Sequence, residues 1–143
     1  KLRMATINRF EDLEIWQEAR EIAKASYSLS LIAYGNHDFE LANALTKTSG
    51  SVMDNIAEGF GREGNREFVQ FLSISKGSCA ELKSQCIRFY DRPYIQEEDK
   101  SYILQIQKLY NRIGGLMKYI KQSNIKGHKF KELEIQIFRF ERD

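Results

Sequence analysis

The sequence predicts an all-α fold: an antiparallel up-down-up-down four-helix bundle with a C-terminal extension. Three observations carry this. Only one proline, Pro93, occurs among 143 residues, whereas strand-rich folds with many turns need more chain breakers. Four segments repeat apolar residues at steps of three and four, the helical period. The connections between them are short, which makes consecutive helices antiparallel neighbours. A single domain of this length buries its own core without staples. The expected division is a bundle over residues 1–123 and a tail over 124–143, with no internal repeat and no low-complexity run.

In the first helix Phe10, Leu13, Trp16, Ala19 and Ala23 set the period, and the pattern persists to about Leu31. Gly35, Asn36, His37 and Asp38 then make a turn, with Asp38 as the expected N-cap of a second helix from about Phe39 to Glu58. Asn65 is placed to cap the third helix. Its seam of Phe68, Leu72, Ser75, Cys79, Leu82, Cys86 and Phe89 alternates steps of four and three, which keeps one stripe toward a partner helix. Asp91, Arg92 and Pro93 end it. The fourth helix runs from Gln96 to about Ser123, with Ile103, Ile106, Leu109, Ile113, Leu116, Met117 and Ile120 inward and Lys100, Lys108, Arg112 and Lys118 broadly outward. The tail fits two patterns. Leu133, Ile135 and Ile137 alternate as in a strand, while Phe130, Leu133, Ile137 and Phe140 also suit a helix, and an extended segment is favoured slightly.

No window approaches eighteen apolar residues, and the start of the chain lacks the charged and then apolar pattern of a secretory signal. A soluble cytoplasmic protein with no membrane partner is expected. Cys79 and Cys86, seven apart on one helix, stand about 10 Å apart, too far for a disulfide. They read as reduced, buried thiols. The net charge of +2 conceals an asymmetry. Between Ser101 and Lys131 there is no acidic residue, while Lys108, Arg112, Lys118, Lys121, Lys126, Lys129 and Lys131 supply +7, leaving 2 − 7 = −5 for the remainder. Such polarity bears on partners rather than on fold.

The stretch "NIAEGFGREG", Asn55–Gly64, holds three glycines in ten residues. Phosphate-binding loops place their glycines ahead of a helix N-terminus. Here the glycines follow a helix, so the stretch reads as a stop and turn, with Gly59 either left-handed or permitting a close helix contact.

"NIAEGFGR" (Asn55–Arg62), followed by "FVQFL" (Phe68–Leu72) and "GSCAELKSQ" (Gly77–Gln85) and preceded by "FEDLEIW" (Phe10–Trp16), resembles the four-helix bundle family encoded within intervening sequences of bacterial 23S ribosomal RNA genes. The resemblance implies a small bundle that assembles as a ring, typically a homopentamer, with no known catalytic activity. A more distant branch, the accessory proteins of diversity-generating retroelements, is basic, binds nucleic acid and contacts a reverse transcriptase. Where family members often carry two adjacent arginines, about eight residues before the Asn-Ile-Ala-Glu-Gly motif, this chain has Thr46 and Lys47. It carries one positive charge fewer there.

Four classes of chemistry come into question. For metal, a di-iron bundle needs Glu-x-x-His on facing helices, but three residues before His37 and His128 stand Tyr34 and Ile125. No metal or other cofactor is expected. For nucleophilic catalysis, Ser78 or Cys79 lacks a histidine placed to face it, and Glu58 with Glu81 makes a carboxylate pair only if both meet inside the bundle. No enzyme is expected. For RNA or DNA, the lysines and arginine from Lys108 to Lys131 are interleaved with Tyr110, Tyr119 and Phe130, and phosphate contacts from such residues supply most non-specific affinity. Lys47, Arg62 and Arg66 join them as candidate contacts; a merely solvated face is the competing reading. For assembly, Ile15, Ile22 and Leu29 mark one flank of the first helix and Trp16, Ala23 and Tyr27 another. Together they spread apolar character over about 200°, more than one seam needs. Ile15, Trp16, Ile22, Tyr27 and Leu29 are therefore candidate subunit contacts. The alternative to nucleic-acid binding is a protein-interaction scaffold.

Overall fold

Apolar steps of three and four become helices at the places the periodicity marks. The computed structural model describes residues 7–125. It contains α1 (Glu14–Gly35), α2 (Phe39–Gly61), α3 (Asn65–Tyr90) and α4 (Lys100–Ile125), with a 3-10 turn at Phe10–Asp12 ahead of α1. The described residues are all helical apart from turns and connections, and the helices pack as a four-helix bundle. α2 packs along α1 and α3, and α3 along α4; the α1–α4 seam that closes the bundle is the lightest. The alternative patterns read in the tail, and the lysines Lys126, Lys129 and Lys131, lie outside the described residues.

The seam of α3 is buried at all seven positions its spacing marks, from Phe68 to Phe89. Each large apolar side chain there contributes about 1.5–3 kcal/mol by leaving water. The Ser75 hydroxyl and the Gln85 amide nitrogen on this face find partners across the helix pair. Ser75 Oγ donates to the Val52 carbonyl at 2.6 Å and Gln85 Nε2 to Thr48 Oγ1 at 2.9 Å. From α4, Ile106, Leu109, Ile113, Leu116 and Ile120 complete the core. Tyr102 is buried with them, its hydroxyl meeting that of Ser26 on α1 and donating to the Ile22 carbonyl at 3.1 Å.

Several local expectations are corrected. The first helix does not run unbroken from Phe10, because Leu13 is extended (φ −74°, ψ 125°) and fully buried between the 3-10 turn and α1. This bend lets Phe10 meet Trp16 edge-on at 5.0 Å and brings Gln17 Nε2 within 2.8 Å of the Glu11 carbonyl. The buried stripe of α1 is Ile15, Ala19, Ile22, Ser26, Ser30 and Ala33 rather than the one through Trp16 and Ala23. Serines can continue it because each satisfies its hydroxyl on its own helix: Ser26 Oγ donates to the Ile22 carbonyl at 2.8 Å and Ser30 Oγ to that of Tyr27 at 2.6 Å.

At the end of α1 the left-handed residue is His37 (φ 62°), with no glycine in that role. The amide N–H groups of His37 and Asp38 donate to Tyr34 and Ala33 carbonyls at 3.0 and 2.9 Å, the paired bonds of a Schellman ending. Asp38 occupies the N-cap position of α2 without a side-chain cap bond. Its Oδ2 instead accepts from Arg92 Nε at 2.8 Å and Tyr94 OH at 2.7 Å, tying the α1–α2 turn to the α3–α4 connection. Gly64, not Asn65, holds the N-cap position of α3. α4 starts at Lys100 rather than Gln96, where Asp99 accepts from the Ser101 amide at 3.0 Å.

Candidate nucleic-acid interface

Residues 55–61 of the glycine-rich stretch form the last turns of α2, and 62–64 make the turn into α3. Gly59 is helical and buried, not left-handed, and a Cβ there would lie 2.6 Å from Phe71 Cβ on α3. Of its two expected roles it fills the close helix contact. Asn55 Nδ2 bonds back to the Ser51 carbonyl and hydroxyl at 2.8 and 3.0 Å, and Ser51 pairs with Ser78 of α3 at 2.8 Å. Glu58 is exposed and paired with Arg62 at 3.0 Å, while Arg62 also lies 5.0 Å from the Phe71 ring. Side chains of this stretch thus join α2 to α3, and the motif is a structural joint. Glu81 is exposed as well, so Glu58 and Glu81 do not meet as a buried pair.

The basic residues divide into three groups. Lys108, Lys118 and Lys121 are exposed on α4, a helix without an acidic residue from Ser101 to its end. Arg112 does not share their outward direction: its side chain is 15% exposed and is ion-paired with Glu18 of α1. The seam between α1 and α4 lies on that side of α4, and the pair bridges it. Lys47 on α2, Arg62 at its end and Arg66 in the first turn of α3 are exposed, and none of them is on α4.

Two lysines that sequence spacing did not single out lie beside α4. Lys76 Nζ sits 4.7 Å from the Tyr110 ring centroid, and its stem crosses Gly114, where a Cβ would be 3.1 Å away. Lys83 Nζ donates to Gln107 Oε1 at 2.8 Å. Lys76 and Lys83 are seven apart, hence on one face of α3, but neighbouring Glu81 and Arg88 mix the local charges and hide the pair. Between these helices opens a cleft of about 300 Å³ lined by Cys79, Ala80, Lys83, Ile106, Gln107 and Tyr110. Burial pushes the Cys79 and Cys86 thiols up to about 12, so both stay protonated at neutral pH. Among the described residues no three His, Cys, Asp or Glu gather as a metal site, and no helix is long and apolar enough to cross a membrane.

The candidate subunit contacts separate in the same way. Ile15 and Ile22 are spent inside the chain's own core, and Trp16 and Leu29 pack partly against it. Tyr27 is 57% exposed and continues into Leu31 and Tyr34, one stripe of α1 that spacing had not marked beyond Tyr27. Phe39, also exposed, meets Tyr34 edge-on at 4.8 Å.

The sequence model of the 23S rRNA-intervening sequence protein family matches residues 11–122, from the 3-10 turn to the last turn of α4. The chain belongs to this family. A search of curated proteins finds no match. The family match takes in all four helices, with Lys47, Arg62, Arg66, Lys108, Arg112, Lys118 and Lys121. Lys126, Lys129 and Lys131 fall beyond it. In this 23S rRNA-intervening sequence protein the joint at Asn55–Arg62 and the α3 seam hold the bundle together, whereas Lys108, Lys118 and Lys121 face outward from it.

Proposed function

We propose that this 23S rRNA-intervening sequence protein is a non-enzymatic, cytoplasmic homo-oligomer that binds the phosphate backbone of RNA or DNA through α4. The observation that carries the reading is the exposure of Lys108, Lys118 and Lys121 on a helix free of acidic residues from Ser101 to Ile125. Lysines with no carboxylate on their own helix face are free to replace the counterions of a phosphate chain. Repetition of a three-lysine patch around a ring raises its avidity, because linked sites act at high effective concentration. The stripe of Tyr27, Leu31, Tyr34 and Phe39 is the surface best suited to join subunits, since exposed apolar patches of this kind mark contact sites. The resemblance noted from sequence makes a pentamer the expected ring. The test is binding of RNA and DNA at several salt concentrations: affinity that falls steeply with salt for both supports the reading, and absence of binding at low salt overturns it. In that event the apolar stripe favours the second reading, a protein-interaction scaffold.

A further inference from the structure

We propose that the cleft between α3 and α4 receives an unpaired nucleobase, so that the protein prefers single-stranded nucleic acid over duplex. The inference rests on the phosphate-binding reading above and adds to it a strand type and a base contact. The cleft measures about 300 Å³, at the bottom of the ~300–1,000 Å³ range of ligand pockets. It has room for one flat ring. Ala80 on its lining is exposed, so it opens to solvent.

The two kinds of surface in the cleft match the two kinds of surface on a base. Cys79, Ala80 and Ile106 provide apolar contact, and the Cys79 thiol, held protonated by burial, adds no charge to it. Lys83, Gln107 and Tyr110 provide the polar side. Gln107 Nε2 donates to Asn111 Oδ1 at 3.0 Å while its Oε1 accepts from Lys83, which holds the amide in place. A lysine ammonium only donates hydrogen bonds. Lys83, with one of its donors on Gln107, offers the others to an acceptor on a base edge, whether a carbonyl oxygen or a ring nitrogen. Tyr110 is an aromatic platform, and base stacking on such a ring contributes about 1–3 kcal/mol per base. Lys76 Nζ lies over one face of that ring, 4.7 Å from its centroid, so a base stacks on the opposite face. A duplex keeps its bases stacked and paired, and extruding one costs a few kcal/mol.

The test measures fluorescence anisotropy of the full chain with oligo-uridylate, oligo-adenylate of the same length, and the duplex of the two. Oligo-uridylate and oligo-adenylate are each expected to bind about tenfold or more tightly than the duplex, the low end of what one stacked base supplies. Two uncharged changes separate the cleft from the phosphate contacts. Ala80→Leu, at an exposed helical position, fills the opening, and Tyr110→Leu removes the ring. Each should bring the preference for single strands over the duplex close to one while leaving the salt dependence of duplex binding unchanged. Equal, salt-dependent binding of all three probes by the parent overturns the cleft inference and leaves the phosphate reading standing. A preference that survives Ala80→Leu in a folded variant also overturns it. Failure to bind any probe at low salt sinks both.

Discussion

A Cβ placed on Gly59 would stand 2.6 Å from Phe71 Cβ and 3.1 Å from Phe68 Cδ1, so α2 and α3 approach as closely as a missing side chain allows. Phe71 Cβ is attached directly to the backbone and cannot swing away. The contact is fixed by where the two helices run. Phe60 and Phe68, edge-on at 5.8 Å, pack beside it.

Gly59→Ala should therefore destabilise the protein by about 1–3 kcal/mol, the cost of overpacking, despite alanine's better helix propensity. Gly77→Ala is the control. It lies in α3 with nothing within 4 Å of the added atom, so it should gain about 0.5–1 kcal/mol. Urea denaturation of both variants checks the contrast, and a stabilised Gly59→Ala would refute the close contact.

His37 is the described non-glycine residue with positive φ, a conformation that costs about 1–2 kcal/mol outside glycine. His37→Gly should raise stability by up to about 1 kcal/mol, less whatever the edge-on contact between His37 and Phe39 at 5.7 Å contributes. A thermal melt that falls instead would show the ring contact to be worth more than the strain.

Tyr94 and then Arg92 stabilise the charged form of Asp38, holding its carboxyl below the usual range. The sign follows from linkage: the contribution is full above the unfolded value of about 3.9 and is lost as pH falls through the folded value. Asp38→Asn should cost on the order of 1 kcal/mol at neutral pH. Its stability should also decline less than the parent's below about pH 4. Parallel decline of both proteins in urea titrations between neutral and acid pH would show that Asp38 is not the group responsible.

Charge reversal at Lys108, Lys118 and Lys121 should weaken RNA and DNA binding alike and flatten the salt slope by roughly one for each phosphate that is no longer neutralised. Reversal at Arg112 is expected to act differently. It places two acids against each other across the α1–α4 seam, because Arg112 faces Glu18, and should appear first as a loss of thermal stability. A triple reversal that binds as the parent does would leave α4 merely solvated.

Tyr27→Asp with Leu31→Asp should lower the mass seen by light scattering toward that of a 16.7 kDa monomer, with helix content kept. Ile15→Ala should instead cost about 2–5 kcal/mol of stability, because Ile15 is fully enclosed within one chain. Undiminished mass in the double variant would move the subunit contact elsewhere.

Helix number, helix order and the inward face of α3 were legible in the sequence because a 3.6-residue period has one solution when a single stripe is apolar, as from Phe68 to Phe89. The charge asymmetry was legible too, since it depends on composition alone. Where two stripes compete, periodicity has no basis for choosing. In α1 the core took Ile15 and Ile22 together with Ser26 and Ser30, which are small and bond their own helix, and Tyr27 and Leu31 stayed outside. Tertiary structure likewise decided which charges are free. Arg112 and Lys108 are four apart and alike in sequence, but the approach of α1 sets Glu18 against Arg112, and the approach of α3 brings Lys76 and Lys83 onto α4. Local spacing measures directions around one helix axis. Pairing and clefts depend on the distance to the next helix, which only the packed bundle determines.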